Sequence, residues 1–197
     1  MIWLAVVVGS LFLAEFYGYW LHVLLHSYII KSASRSHMNH HLLSYGPGQR
    51  QRSAKYIQEI RQGDLLIAGL GPEWIIPSII LVVFTAFVEH LLGLSWTQII
   101  VSEAIILAYS VFLFWWLHDR MHVRGVWLLK IPHFRKIRRR HDIHHTHVTD
   151  DGLMNRNYGI AFPFFDHVFG TYKESAGRLN RKGVQAAKDR YNEQIRR

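Results

Sequence analysis

The 197-residue chain contains no cysteine. That excludes disulfides, cysteine-ligated iron–sulfur clusters, thiolate haem and cysteine zinc sites, and it leaves the redox compartment unread. Acidic side chains are also scarce, 14 against 23 lysines and arginines, so the formal charge is +9 with histidine neutral. Charge is missing altogether from long stretches. No GxGxxG fingerprint, haem-binding segment or solenoid repeat is visible. What is abundant is histidine, with 14 residues.

Half of the residues are hydrophobic. They fall in blocks rather than in a periodic stripe, which points to a membrane protein. The first block runs from about Ile2 to Ile30, interrupted by Glu15, His22 and His26. The second runs from about Trp74 to Leu94, with Pro77 near its start and Glu89-His90 near its end. The third runs from about Thr97 to Leu117, with Glu103 its one charged residue. Each reaches the roughly 20 residues a helix needs to cross a bilayer core. No lysine or arginine precedes the first block and no small-residue cleavage site follows it, so it reads as a retained span rather than a signal peptide.

The basic residues set the orientation. Lys31, Arg35, Arg50, Arg52, Lys55 and Arg61 lie in the connector Lys31–Pro72, and the other seventeen lie from Arg120 onward. The positive-inside rule puts both regions in the cytosol. The histidines at the ends of blocks one and three then meet the same membrane face. The expected architecture is all-α: an integral membrane bundle of three, possibly four, transmembrane helices with a cytosolic histidine-rich helical cap. Residues 1–175 form one membrane-embedded domain. Residues 176–197 form a basic cytosolic tail, read as solvated or as a helix on anionic lipid.

The histidines come in four clusters. His22 and His26 form HxxxH; His37, His40 and His41 form HxxHH; His118 and His122 repeat HxxxH; His141, His144 and His145 repeat HxxHH. On a helix these spacings lie on one face, so each cluster can aim its imidazoles at one point. Neutral imidazole ligates iron, zinc, copper or nickel. Ten such rings exceed the needs of one ion, so two metals are the natural count. A polyhistidine tract would be contiguous, and one HxxHH is expected by chance in only roughly a tenth of such sequences.

Several residues stand near the clusters. Glu15 is two helical turns before His22 on nearly the same face. It could take a proton from a histidine, directly or through water or Tyr19, or simply bond another helix. Asp119 and Asp142 follow cluster histidines; they either orient ligands or pair with nearby arginines. His147 is either an extra ligand or a group behind one. His90 lies toward the far membrane face, His133 reads as surface and His167 as packing. Trp115, Trp116, Phe112, Phe114, Tyr17, Tyr19 and Trp20 stand above the histidines. They read as interfacial anchors, with lining an apolar slot as the second reading.

The double HxxxH/HxxHH pattern resembles the fatty acid hydroxylase/sterol desaturase superfamily. So do Asn157-Tyr158-Gly159 and the following Phe164-Phe165-Asp166-His167-Val168-Phe169-Gly170-Thr171-Tyr172. The resemblance runs from about Glu15 to Tyr172. It departs in showing three clear spans where the family often has four, and His167 where the family usually has arginine or lysine.

The resemblance implies a membrane oxidoreductase with a dinuclear centre of two metal ions, iron in the family, with zinc or another metal possible in a purified form. Such an enzyme uses O2 as co-substrate to hydroxylate or desaturate a sterol, fatty acyl or sphingoid lipid. The implied ligands are His22, His26, His37, His40, His41, His118, His122, His141, His144 and His145. By position, Glu15, Asp119, Asp142 and His147 are the candidates to stand behind them. The expected partners are a lipid substrate, the membrane and a separate ferredoxin- or cytochrome-type electron donor, with no nucleic acid. The expected location is a bacterial inner membrane or the endoplasmic reticulum. The small carotenoid hydroxylases are similar in length but lack the VFGT-type tail. A membrane metal-binding or transport protein without oxygenase activity is the alternative from another class.

Overall fold

The computed structural model describes residues 2–61 and 75–194. Trp74, the expected start of the second apolar block, and the end of the Lys31–Pro72 connector lie outside the described residues. The described regular structure is helical throughout, as expected for an all-α protein. Helix α1 spans Ile2–Ser27, and α2 spans Lys31–Asn39 and widens into a π-helical turn at His40–Ser44. After α3 (Ala54–Arg61) come α4 (Ile75–Leu91) and α5 (Trp96–Val111). Helix α5 runs through a π-helical stretch, Phe112–Leu117, into α6 (His118–His122). A 3₁₀ turn (Trp127–Lys130) leads to α7 (Pro132–Thr146), and α8 (Phe164–Val168) and α9 (Arg181–Gln194) complete the chain.

Among the described residues, two helices are long and apolar enough to cross a membrane: α1, and the continuous run Trp96–His122. At 1.5 Å per residue, 26 residues in α1 cover about 39 Å, more than a bilayer core. Helix α4 is apolar but shorter. It joins α5 through Gly93, which holds a positive φ of 83°, and Ser95 opens α5 with a capping box to Gln98.

Apolar helices gain little from burying oil against oil in lipid, so close approach and hydrogen bonds hold them together. Gly18 lets the Phe114 ring approach α1; a Cβ there would lie 3.3 Å from it. Ser10 meets Ser102 at 2.8 Å, and Ser102 donates to Glu89. Tyr17 meets Thr85 at 2.8 Å. Tyr109 donates to Glu15 at 2.8 Å. Glu15 and Glu89 thus each bond a neighbouring helix.

Beyond the spans, α2, the π turn and α7 stack over the ends of α1 and α6. The one isolated bridge among the described residues clips the connector to α6: Arg52 donates to the His122 carbonyl and Arg124 to the Arg52 carbonyl, each at 2.8 Å.

The segment after Ser175 is more ordered than a solvated tail. In α9, Val184, Ala187 and Tyr191 form a sparse apolar stripe at i, i+3 and i+7. It packs on Met38, Leu42, Val148 and Met154, and Tyr191 bonds Asn39. The stripe is hard to see in sequence because charged residues surround it. Ala187 is fully buried, so Ala187→Glu should cost about 2–4 kcal/mol. It should also expose 181–194 to limited proteolysis; an unchanged digestion pattern would refute this docking.

Candidate metal centre

The ten histidines gather into two buried nests of five. His22, His26, His37, His41 and His144 form one, and His40, His118, His122, His141 and His145 form the other. In each, one ring nitrogen from every residue lies within 4.8 Å of the rest. The nests adjoin, with the His41 ring stacked on His145 at 4.0 Å between centroids.

The expectation that each HxxHH cluster aims at one point is corrected. His37 and His41 enter the first nest while His40 enters the second; His141 and His145 enter the second while His144 enters the first. The reason is helical geometry. At about 100° per residue, i and i+4 sit about 40° apart, but i+3 sits about 100° from i+4. The middle histidine of each triplet therefore crosses to the other nest. Each nest takes one HxxxH pair, an i/i+4 pair from one triplet and the crossing residue of the other. Two π-helical stretches adjoin these histidines, and such bulges re-aim side chains. One contains His40 and His41, and the other ends directly before His118.

Ring orientation is fixed from outside the nests. His22 Nδ1 donates to the Tyr158 carbonyl at 2.7 Å and His144 Nδ1 to Arg156 at 2.7 Å. His122 Nδ1 donates to Arg50 at 2.8 Å and His145 Nδ1 to Tyr45 at 3.0 Å. A carbonyl only accepts, so each Nδ1 carries the proton and each neutral ring turns an Nε2 lone pair inward. His144 Nε2 then faces His26 and His41 Nε2 at 3.2 Å each. His145 Nε2 faces His141 Nε2 at 3.1 Å, and that atom faces His122 Nε2 at 3.0 Å. His22 Nε2 and His40 Nε2 are buried without a hydrogen-bond partner among the described residues. The orphaned His22 lone pair and the convergence of ring nitrogens in both nests fit a cation.

Electrostatics agree. Burial, reinforced by neighbouring imidazoles, holds His37, His40, His41, His141, His144 and His145 well below the usual histidine range. They are neutral at pH 7, the form that ligates.

The supporting residues divide. Glu15 is held by Tyr109, and the Tyr19 hydroxyl bonds Thr171 at 3.0 Å. The contact to Tyr109 is the helix–helix bond of the second of the two readings of Glu15. Asp142 touches no histidine ring; it accepts from Gln51 at 3.2 Å and lies 3.5 Å from Arg50 Nε. The Arg50 carbonyl, in turn, accepts from His122 Nδ1. Asp119 follows His118 on α6 and lies in neither nest. His147 ends α7 outside both nests, and burial lowers its pKa. His90 stacks on Trp96, His133 packs on Phe162 and His167 stacks on Tyr172.

A family model for fatty acid hydroxylase matches residues 7–171. The chain belongs to the fatty acid hydroxylase family. No curated protein and no solved structure matches it. This hydroxylase family is a group of lipid hydroxylases and desaturases typically built on two irons.

In this family member, the segment after α7 has a role that motif spacing alone does not reveal. The Asp166 carboxylate accepts from Tyr158 N at 2.8 Å, Gly159 N at 2.9 Å and Thr171 Oγ1 at 2.7 Å. Asn157, at a positive φ of 55°, accepts from Lys173 N at 2.7 Å and donates to its carbonyl at 2.8 Å. A Cβ on Gly159 would strike the Phe162 carbonyl and the Asp166 carboxylate. This knot presents the Tyr158 and Arg156 carbonyls to His22 and His144. Asp166→Ala should weaken metal retention by about tenfold or more, in line with loss of outer-shell support. His147→Ala should not change metal content. Equal metal content in wild type and Asp166→Ala, by elemental analysis, would contradict the assignment.

Proposed function

We propose that the chain is a membrane-bound non-haem di-iron oxygenase that uses O2 to hydroxylate or desaturate a lipid of sterol, fatty acyl or sphingoid type. The carrying observation is the pair of five-histidine nests with inward lone pairs. In this reading His22, His26, His37, His41 and His144 hold one ion, and His40, His118, His122, His141 and His145 hold the other. When bound, the irons supply O2 activation and C–H oxidation.

The protein orients and dries the centre. Carbonyls of Tyr45, Arg50, Arg156 and Tyr158 hold ring protons at Nδ1, so Nε2 stays available. Tyr19, Tyr158 and Phe165 pack as an aromatic layer beside the first nest, with Phe16 and Val23 against them. That layer excludes water from the membrane-side approach. A cavity of about 440 Å³ adjoins it, lined by Leu11, Phe12, Glu15, Tyr109, Phe162, Phe164 and Phe165. Its apolar walls suit part of a lipid chain. None of the described aromatic residues read first as interfacial anchors lines this cavity; Phe112, Trp20 and Trp116 are exposed, in keeping with that reading, and the Trp115 side chain lies outside the described residues.

The membrane frame completes the reading: three spans, α4 included, with the histidine nests on the cytosolic face by positive-inside bias. Electrons come from a separate ferredoxin- or cytochrome-type donor, because the chain carries no recognisable redox domain of its own.

The test is turnover of a membrane lipid extract by the iron-loaded, reconstituted protein with an electron donor. The expected product gains one oxygen or loses two hydrogens, and forms only with O2 and reductant present. His144→Ala should reduce turnover at least about a hundredfold while the protein stays in the membrane. Unchanged turnover in that variant, or metal binding without any lipid product, would overturn the oxygenase reading.

A further inference from the structure

Arg138 breaks the pattern of its neighbours. In sequence it belongs to a run of three arginines, Arg138–Arg140. In the structure only Arg139 of the three is exposed. Arg140 donates to the Ala161 carbonyl at 2.7 Å. Arg138 is 5% exposed, and its Nε and Nη1 are buried with no hydrogen-bond partner among the described residues. The nearest carboxylate on its helix, Asp142, is already engaged by Arg50 and Gln51. A guanidinium this buried is expected to be paired, because desolvation is offset only by an opposing charge and hydrogen bonds.

Arg138 lines a cavity of about 340 Å³ together with Gln51, Leu129, Arg135, Arg139 and Asp142. Three arginines line it, and its single carboxylate, Asp142, lies 3.5 Å from Arg50 Nε. The cavity adjoins the 3₁₀ turn Trp127–Lys130, whose Trp127 is 63% exposed, and Ile131 beyond it is 41% exposed. An exposed tryptophan and isoleucine beside a cluster of arginines is the profile of a segment seated in the membrane interface. That places the cavity at headgroup depth.

We propose that this pocket binds the phosphodiester headgroup of an anionic phospholipid. Guanidinium groups recognise phosphate oxygens by paired, charge-assisted hydrogen bonds. The bound headgroup fixes α7, which carries His141, His144 and His145. The inference is independent of which metal the nests hold and of the reaction they perform.

The test uses the full chain in vesicles of phosphatidylcholine alone or mixed with phosphatidylglycerol. Lipid retained through detergent extraction is read by mass spectrometry. Wild type should retain phosphatidylglycerol selectively, and Arg138→Gln about tenfold less. Arg135→Gln, at an exposed position, should give a smaller loss and serves if the first variant does not fold. Lys188→Gln on α9 should change nothing. Equal retention in wild type, Arg138→Gln and Arg135→Gln would overturn the site, as would an equal loss in Lys188→Gln. Inorganic phosphate displacing the bound phosphatidylglycerol supports the phosphate chemistry. Stabilisation of the protein by inorganic phosphate in pure phosphatidylcholine, with no selective lipid retention, would overturn the headgroup as its source. An acidic donor protein that loses binding in Arg138→Gln while lipid retention is unchanged would also overturn it.

Discussion

A neutral imidazole has one donor nitrogen and one acceptor nitrogen, and whatever bonds the donor decides where the acceptor points. Here four backbone carbonyls, from Tyr45, Arg50, Arg156 and Tyr158, take the Nδ1 protons of His145, His122, His144 and His22. Their Nε2 lone pairs turn inward, and those of His122, His144 and His145 lie 3.0–3.2 Å from the Nε2 atoms of His141, His26 and His41, a convergence that suits a cation. The rest of the chain can be read as the means of presenting those carbonyls and rings together. The connector after the π turn supplies two of the carbonyls. The knot around Asp166 supplies the other two.

This division of labour explains why a small chain suffices. Helix α1 and the continuous run from α5 into α6 bring an HxxxH pair each to the same end of the bundle, held by small-residue contacts and a few polar clips. Helices α2 and α7 lie over that end, and each contributes three histidines that split between the nests. Crossing of His40 and His144 ties the two nests to both caps. Loss of one cap would therefore open both nests, so the site behaves as one unit rather than as two independent pockets.

Much of this was legible in the sequence. The helical class, the apolar blocks and all ten clustered histidines follow from hydropathy and spacing. The set gathers in the structure as the spacing suggests, although its ligation remains a proposal. The split of each triplet was not read, although the 100° step per residue contains it. The carbonyl anchors were not legible, because a backbone acceptor leaves no trace in residue identity. Glu15 kept two readings for a related reason: helical phase puts it beneath His22, but phase does not say that Tyr109 of another helix takes its carboxylate. Arg138 was hidden in a run of like residues, where sequence cannot tell which side chain turns inward.

The central claim is that the chain is built around two cations held by imidazole. Elemental analysis of the purified protein, combined with X-ray absorption at the metal edge, tests it most directly. The account predicts two transition-metal ions per chain, each with a nitrogen-rich shell showing the outer scattering of imidazole rings. One ion or none per chain, or a shell without imidazole scattering, would contradict it.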